Sequence, residues 1–230
     1  MSTIAQRLAS VREEIARAAA RAGRDRRDVV LLAVSKTQPV SAIEEAYRAG
    51  QRDFGENYAQ ELAKKAQALT HLGDIRWHMI GHLQRNKVKL VTPHVRVVHT
   101  VDSEPLAREL GKRAPGESHA LSVLVQVNVA MEQQKAGCSL DDLETVLAAV
   151  EKEPSLKLAG LMTIPPQSDH PNDALPHFRA LARLRDAHGG AARLPELSMG
   201  MSQDYPQAIE AGATLVRVGS SIFGARPAAP

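Results

Sequence analysis

Residues 29–39 read "VVLLAVSKTQP", an apolar, β-branched run that ends on Ser35 and a lysine, Lys36. A strand this apolar is buried on both faces. A lysine at its end either lays its stem along the surface and reaches solvent, or is held where a neutral amine can form a Schiff base with a carbonyl. Pointing inward, it would feel desolvation and any nearby cation, and both lower its pKa. Arg217, inside the apolar "LVRVG", could be that cation, since a buried guanidinium needs acceptors for its N–H groups. Two further stretches, "SMGMSQD" and "VRVGSSIFG", have the small residues and hydroxyls of an anion cradle, with Ser202, Ser220 and Ser221 as donors. Lysine, cradle and arginine together suggest pyridoxal phosphate. Its aldehyde would join Lys36, its phosphate would sit by the cradle, and Arg217 would face the ring nitrogen.

These residues need a scaffold, and the chain alternates strands with helices. Ile4, Leu8, Val11 and Ile15 recur at helical spacing, with Gly23 as a stop. Strands are predicted near 29–35 and in "RDFGEN", "RWHMIG", "VRVVHTVD", "LSVLVQVNV", "LKLAGLMTI", "ELSMG" and "TLVRVGSSIFG". Between them lie helical stretches. In "SAIEEAYRAG", Ser41 reads as N-cap, Glu44 completes a capping box and Gly50 follows the end. In "SLDDLETVLAAVEKE", Leu140, Leu143, Leu147 and Val150 share a face. Eight strands separated by helices predict an α/β fold, a single (β/α)8 TIM barrel over residues 1–230. An open doubly wound sheet usually has fewer strands or a longer chain. Little sequence follows the eighth strand, so an extra N-terminal helix at 3–22 is expected to cover the place of the last outer helix. Barrel ligands bind at the C-terminal strand ends, with phosphates often at the loops after strands seven and eight. Lys36, Glu56, Asn57, His78, Gly81, Asn128, Met162, Ser202, Gly219 and Ser220 all fall at such ends.

The 230 residues are 43% hydrophobic and 24% charged, with a net charge of +3, an ordinary globular balance that permits anionic ligands without demanding nucleic acid. Aromatics at 3% leave few platforms for stacking bases, which weakens an RNA-binding reading of "QRNKVK". No signal peptide or membrane span is expected. The single Cys138 permits no internal disulfide, so a cytoplasmic location is expected, and the residue reads as a small side chain near a helix start rather than a nucleophile. His78 and His82 have spacing that suits a metal only on a helix, and Gly81 interrupts it, so no metal is expected. Lys135, in "EQQKAG", could reach toward the phosphate or a partner.

Taken in order, "AVSKTQP", "DFGENYAQE", "WHMIGHLQRNK", "VHTVDS", "VQVNVAMEQQKAG", "GLMTIPP", "SMGMSQDYPQAI" and "VRVGSSIFGARP" resemble the YggS/PROSC group, the pyridoxal phosphate homeostasis proteins, which share the barrel of alanine racemase. Arg85 departs from the family pattern, where many members carry serine. The resemblance implies pyridoxal 5'-phosphate linked to Lys36, phosphate contacts from Ser202, Gly219 and Ser220, and Arg217 at the pyridine nitrogen. Asn57 resembles a pocket residue of the family without an assigned contact. The implied role is to buffer or deliver the cofactor in vitamin B6 homeostasis, with cofactor-dependent apoenzymes as recipients and the protein a monomer. Physical chemistry favours such a carrier over an enzyme. An arginine at the ring nitrogen disfavours its protonation and makes a poorer electron sink. No second domain is expected to cover the site or bring an opposing base. The alternatives are a pyridoxal-dependent amino-acid racemase using His78 or His82, and a Schiff-base aldolase needing no cofactor.

Overall fold

Eight parallel strands, β1 (Val30–Val34), β2 (Asp53–Glu56), β3 (Arg76–Met79), β4 (Val95–Val101), β5 (Leu121–Gln126), β6 (Leu156–Met162), β7 (Glu196–Ser198) and β8 (Leu215–Val218), pair in chain order and close with β8 against β1. This is a (β/α)8 barrel, as the alternating pattern predicts. The computed structural model describes residues 2–132 and 136–224. Around the strands lie α1 (Ile4–Arg21), α2 (Val40–Arg48), α3 (Ala59–Ala68), α4 (Val88–Val91), α5 (Glu104–Arg113), α6 (Leu143–Glu151), α7 (Leu175–Ala187), α8 (Gly190–Arg193), α9 (Tyr205–Glu210) and α10 (Ser220–Phe223).

Strand alternation sorts the side chains, because residues two apart share a face. One face of the strands builds the layer under the helices, with Leu31, Ala33, Phe54, Trp77, Val123 and Val216 among its members. The other face fills the barrel itself: Leu32, Ile80, Leu124, Ala159, Met162 and Leu215, with Val34 and Val97 against them. Extending this inner face along β1 and β8 places Lys36 after Leu32 and Val34, and Arg217 after Leu215. The lysine at the end of an apolar run therefore continues the inward-facing series.

Helix α1 buries Ile4, Leu8, Val11 and Ile15, the four residues of the predicted stripe, together with Ala18 and Ala19. Thr3 and Gln6 form a capping box at its start. It packs on α2, α9 and α10. Since α10 is a single turn, α1 covers the wall beside β1 and β8, as expected of the extra helix.

Local expectations fail where a stronger constraint lies nearby. Helix α2 starts at Val40 after Pro39, not at a Ser41 cap. Proline lacks an N–H and presets its φ, so the turn closes earlier, with the Ala42 amide on the Pro39 carbonyl at 3.1 Å. Leu140 lies outside α6 and is 39% exposed, so it does not share the face of Leu143, Leu147 and Val150. The predicted eighth strand ends at Val218, and Ser220–Phe223 turns into α10.

Candidate functional site

The C-terminal mouth of the barrel holds a cavity of about 430 Å³, within the range of roughly 300–1,000 Å³ common for small-ligand sites. Lys36, Asn57, Ser202, Arg217, Gly219 and Ser220 all line it, joined by Val34, Gln38, Ile80, Ile164, Met201, Gln203, Asp204 and Gly224. A larger groove of about 520 Å³ lies between Arg85 and α5 on the outer surface and includes no strand-end candidate. Its cations are interspersed with Glu104 and Glu109, and Arg108 pairs with Glu104, the pattern of a solvated helix face rather than a nucleic-acid surface.

Arg217 is 3% exposed and forms the cationic side of the cavity. Its Nη1 donates to Ser198 Oγ at 2.7 Å and its Nη2 to the Thr163 carbonyl at 2.9 Å. Both acceptors are neutral. Burial pushes the guanidinium down to about 10, with Asp204 pulling the other way. It stays charged at neutral pH and places positive potential at the floor of the cavity.

Behind Arg217 a polar chain runs through the barrel. Ser198 Oγ lies 2.9 Å from His99 Nδ1, His99 Nε2 lies 2.9 Å from His78 Nδ1, and His78 Nε2 lies 3.2 Å from Asp53 Oδ1. Arg76 closes the chain, with its Nε donating to Asp53 Oδ1 at 2.7 Å. Burial and the charges of His78 and Arg217 hold His99 well below the usual histidine range, so it is neutral. Burial opposes ionisation of Asp53, but hydrogen bonds from Arg76 and His78 outweigh it and bring the carboxyl down to about 2.

The loops after β7 and β8 are tied together. The Gly219 amide donates to Ser202 Oγ at 3.1 Å, which commits that amide and leaves the Ser202 hydroxyl proton to be donated elsewhere. A Cβ on Gly219 would stand 3.3 Å from the Val34 carbonyl oxygen, so glycine allows this loop to close on β1. Asp204 is 8% exposed and accepts the Met201 amide at 2.6 Å, while burial pushes its carboxyl up. Its place on the cavity was not foreseen from the sequence, although "SMGMSQD" contains it. Asn57 Oδ1 is buried without a hydrogen-bond partner. Its backbone is fixed by Gly81, where a Cβ would come within 2.2 Å of the Asn57 carbonyl oxygen.

The remaining candidates separate from this site. Ser221 lines a groove beside Arg7, Val11 and Tyr205 of α1 and α9, not the cavity. A single helical turn aims successive residues about 100° apart, so Ser220 and Ser221 diverge. His78 is buried with both ring nitrogens bonded, and His82 Nδ1 stands 3.7 Å from Asp102 Oδ2; neither lines the cavity. Met162 packs inside the barrel and Asn128 donates to the Glu132 carbonyl at 2.7 Å. Glu56 is buried on the outer side of the wall against Ser35 and Lys65. Cys138 is buried, and burial raises its thiol to about 12, as suits a packing residue. Lys135 lies outside the described residues. Among the described residues no group of three His, Cys, Asp or Glu side chains could hold a metal ion, and no helix is long and apolar enough to cross a membrane.

Comparison with known proteins places the chain in a family. A sequence profile of the alanine racemase N-terminal domain matches residues 7–227. The pyridoxal phosphate homeostasis protein of Escherichia coli is 45% identical over 233 residues, covering 98% of each chain. That of Aquifex aeolicus is 44% identical over 223 residues, covering 96% of this chain and 97% of the other. Among solved structures, PipY of Synechococcus elongatus with PLP bound aligns with a TM-score of 0.81 and 37% identity, covering 96% of this chain and all of that one. Alanine racemase from Corynebacterium glutamicum, at 19% identity and a TM-score of 0.66, shares the fold and extends beyond it, the alignment covering 96% of this chain and 61% of that one. With its barrel, its strand-end motifs and these full-length relatives, the chain belongs to the pyridoxal phosphate homeostasis family, a branch of the alanine racemase N-terminal domain proteins.

Proposed function

We propose that the protein binds pyridoxal 5'-phosphate as a Schiff base on Lys36 and takes part in cytoplasmic vitamin B6 homeostasis, as a monomer and without a reaction of its own. The observation that carries this reading is the meeting of Lys36, Arg217, Ser202 and Ser220 on one cavity, in a chain 45% identical to a pyridoxal phosphate homeostasis protein.

The cavity suits the group. When bound, the cofactor supplies an aldehyde that condenses with an amine and a conjugated ring that can accept electrons. Lys36 would provide the amine, forming a C–N bond while the aldehyde oxygen leaves as water. The hydroxyls of Ser202 and Ser220 would donate to the phosphate, with the Gly219 backbone holding that loop in place. Arg217 would donate to the ring nitrogen and keep it unprotonated, since a guanidinium has no lone pair to accept a proton-bearing nitrogen. The unpartnered Asn57 Oδ1 is an acceptor awaiting a donor at the same cavity. Ile164 and Met201, 38% and 37% exposed, leave the mouth accessible at its edge. Such a site favours binding and release over control of a carbanion. The recipients are apoenzymes that require the cofactor. Neither His78 nor His82 lines the cavity, which argues against the racemase reading.

The test is a visible spectrum of the purified protein with pyridoxal phosphate, with Lys36→Ala alongside. A yellow band in the wild type, fixed by borohydride onto Lys36 and missing from the variant, is expected. Added amino acids should exchange with the bound group without racemisation. A wild type with no band refutes cofactor attachment, and steady turnover of an amino acid refutes the carrier role.

A further inference from the structure

The aim of Lys36 is set from the far side of the barrel wall. Alternation along β1 sends Val34 and Lys36 toward the cavity and turns Ser35 outward, beneath α3. There Ser35 is completely buried. Its carbonyl accepts from Lys65 Nζ at 2.6 Å, and its hydroxyl donates to Glu56 Oε1 at 2.6 Å. On the other side of Lys36, the Thr37 amide donates to Glu61 Oε1 at 2.7 Å. Lys65 Nζ also bonds both carboxylates, Glu56 Oε1 at 2.8 Å and Glu61 Oε1 at 2.7 Å. The two backbone neighbours of Lys36 thus converge on one ammonium, directly at Ser35 and through Glu61 at Thr37.

The turn they hold is strained. Thr37 has a φ of 64°, in the left-handed region that a β-branched residue rarely occupies. The cluster that holds it is also unfavourable to bury. The side chains of Lys65 and Glu56 are 7% and 0% exposed, and a buried ion pair is often no more stabilising than apolar packing of the same volume. Glu56 Oε2 has no partner, and burial pushes that carboxyl up despite the pull of Lys65. Leu62, one turn earlier on α3, shows what mere coverage of the sheet requires. An ammonium in its place suits a constraint on the backbone beside it.

We propose that Lys65 is a positioning residue for Lys36, which, through the Ser35 carbonyl and through Glu61 on the Thr37 amide, holds the strained turn that directs the Lys36 amine into the cavity. The inference rests on Lys36 as the attachment point of the cofactor. Lys65 and Glu61 never touch the ligand in this arrangement. Their loss impairs the covalent link selectively, while the binding of ring and phosphate persists.

Two ligands separate these effects: pyridoxal phosphate, and 4'-deoxypyridoxine phosphate, which keeps ring and phosphate but has no aldehyde. Lys65→Met and Glu61→Ala are expected to slow or weaken the borohydride-fixable link by about tenfold or more, as loss of charged hydrogen bonds implies. Both should bind the aldehyde-free analogue within about twofold of the wild type, a change too small for a lost contact. Glu61→Gln keeps a carbonyl oxygen for the Thr37 amide and should recover most of the linkage. Glu61 is partly exposed, so its two variants give the answer even if Lys65→Met fails to fold. Linkage at the wild-type rate and strength in Glu61→Ala, or equal loss of both ligands, overturns the proposal. A wild type that never forms the link overturns the attachment reading and this inference with it. A wild type that links while the variants match it overturns this inference alone.

Discussion

Arg217 Nη1 donates to Ser198 Oγ across 2.7 Å, and that hydroxyl joins the cation of the cavity to the buried histidines behind it. Arginine can only donate and an ionised carboxylate can only accept. The chain has Arg217 at one end and Asp53 at the other. Between these ends Ser198 Oγ keeps a second lone pair beside the one that takes the Arg217 proton, so it can either donate to His99 Nδ1 or accept from it. His99 Nε2 and His78 Nδ1 share one proton-bearing contact of 2.9 Å, and His78 donates from Nε2 to the ionised Asp53. His99 is neutral, held there chiefly by burial, so one of its ring nitrogens donates and the other accepts.

Stability toward acid should carry the signature of His99. Its folded pKa lies well below the unfolded value near 6.5, with burial as the main cause. The unfolded chain therefore binds a proton that the folded chain refuses, and stability falls as pH drops below about 6.5. The contribution is about 1.4 kcal/mol per pH unit. Denaturant titrations at several pH values should show this slope, and His99→Gln should remove it. An unchanged slope in the variant would contradict a buried neutral His99.

A second acid limb belongs to Asp53. Its folded carboxyl is depressed to about 2 from 3.8, burial resisting and the bonds from Arg76 and His78 prevailing. That stabilisation is complete above about pH 4 and lost as pH falls toward 2, about 2 kcal/mol in all. Asp53→Asn should lack this limb in acid-unfolding curves; a variant with the wild-type curve would place the acid sensitivity elsewhere.

Replacing Arg217 with methionine removes the cation while keeping an apolar stem. The affinity for pyridoxal phosphate should fall by at least about tenfold, as loss of a charged hydrogen bond implies, and the visible band should shift as the ring nitrogen loses its donor. Titration followed by absorbance measures both. Equal affinity and an identical band would remove Arg217 from the cofactor's surroundings.

Cys138 should resist thiol reagents in the folded protein, because burial raises its pKa to about 12 and leaves it 5% exposed. Complete labelling is expected only in denaturant. Fast labelling of native protein would mean that the segment between β5 and α6 opens readily.

Much of the site is legible because barrel strands obey a period of two. Leu32, Val34 and Lys36 form one inward series, and Leu215 and Arg217 another, so the apolar strands announce where their polar residues point. Other features leave no such trace. Glu61 and Lys65 look like any helical pair four residues apart, which is usually a solvated contact; only the docking of α3 over Ser35 buries Lys65 and turns Glu61 to the Thr37 amide. His78 and His99 stand on neighbouring strands, and their pairing depends on a register that shifts between Trp77 and His78. Ser221 reads as part of the last strand in the sequence, but a turn of helix there rotates it away from the cavity.

The seam of the barrel joins distant parts of the chain. Strand β1 pairs with β8, and α1 rests on α9 and α10, with Arg7 donating through Nε to the Ile222 carbonyl. A ribosome releases these partners in order of synthesis, so α1 meets α2 early but waits for α9 and α10 while seven strands emerge. Such long-range closure is slow to form and leaves apolar surface open to wrong contacts in the meantime. The helix that finishes the wall is thus the earliest made, and its contacts with α9 and α10 are among the last to form.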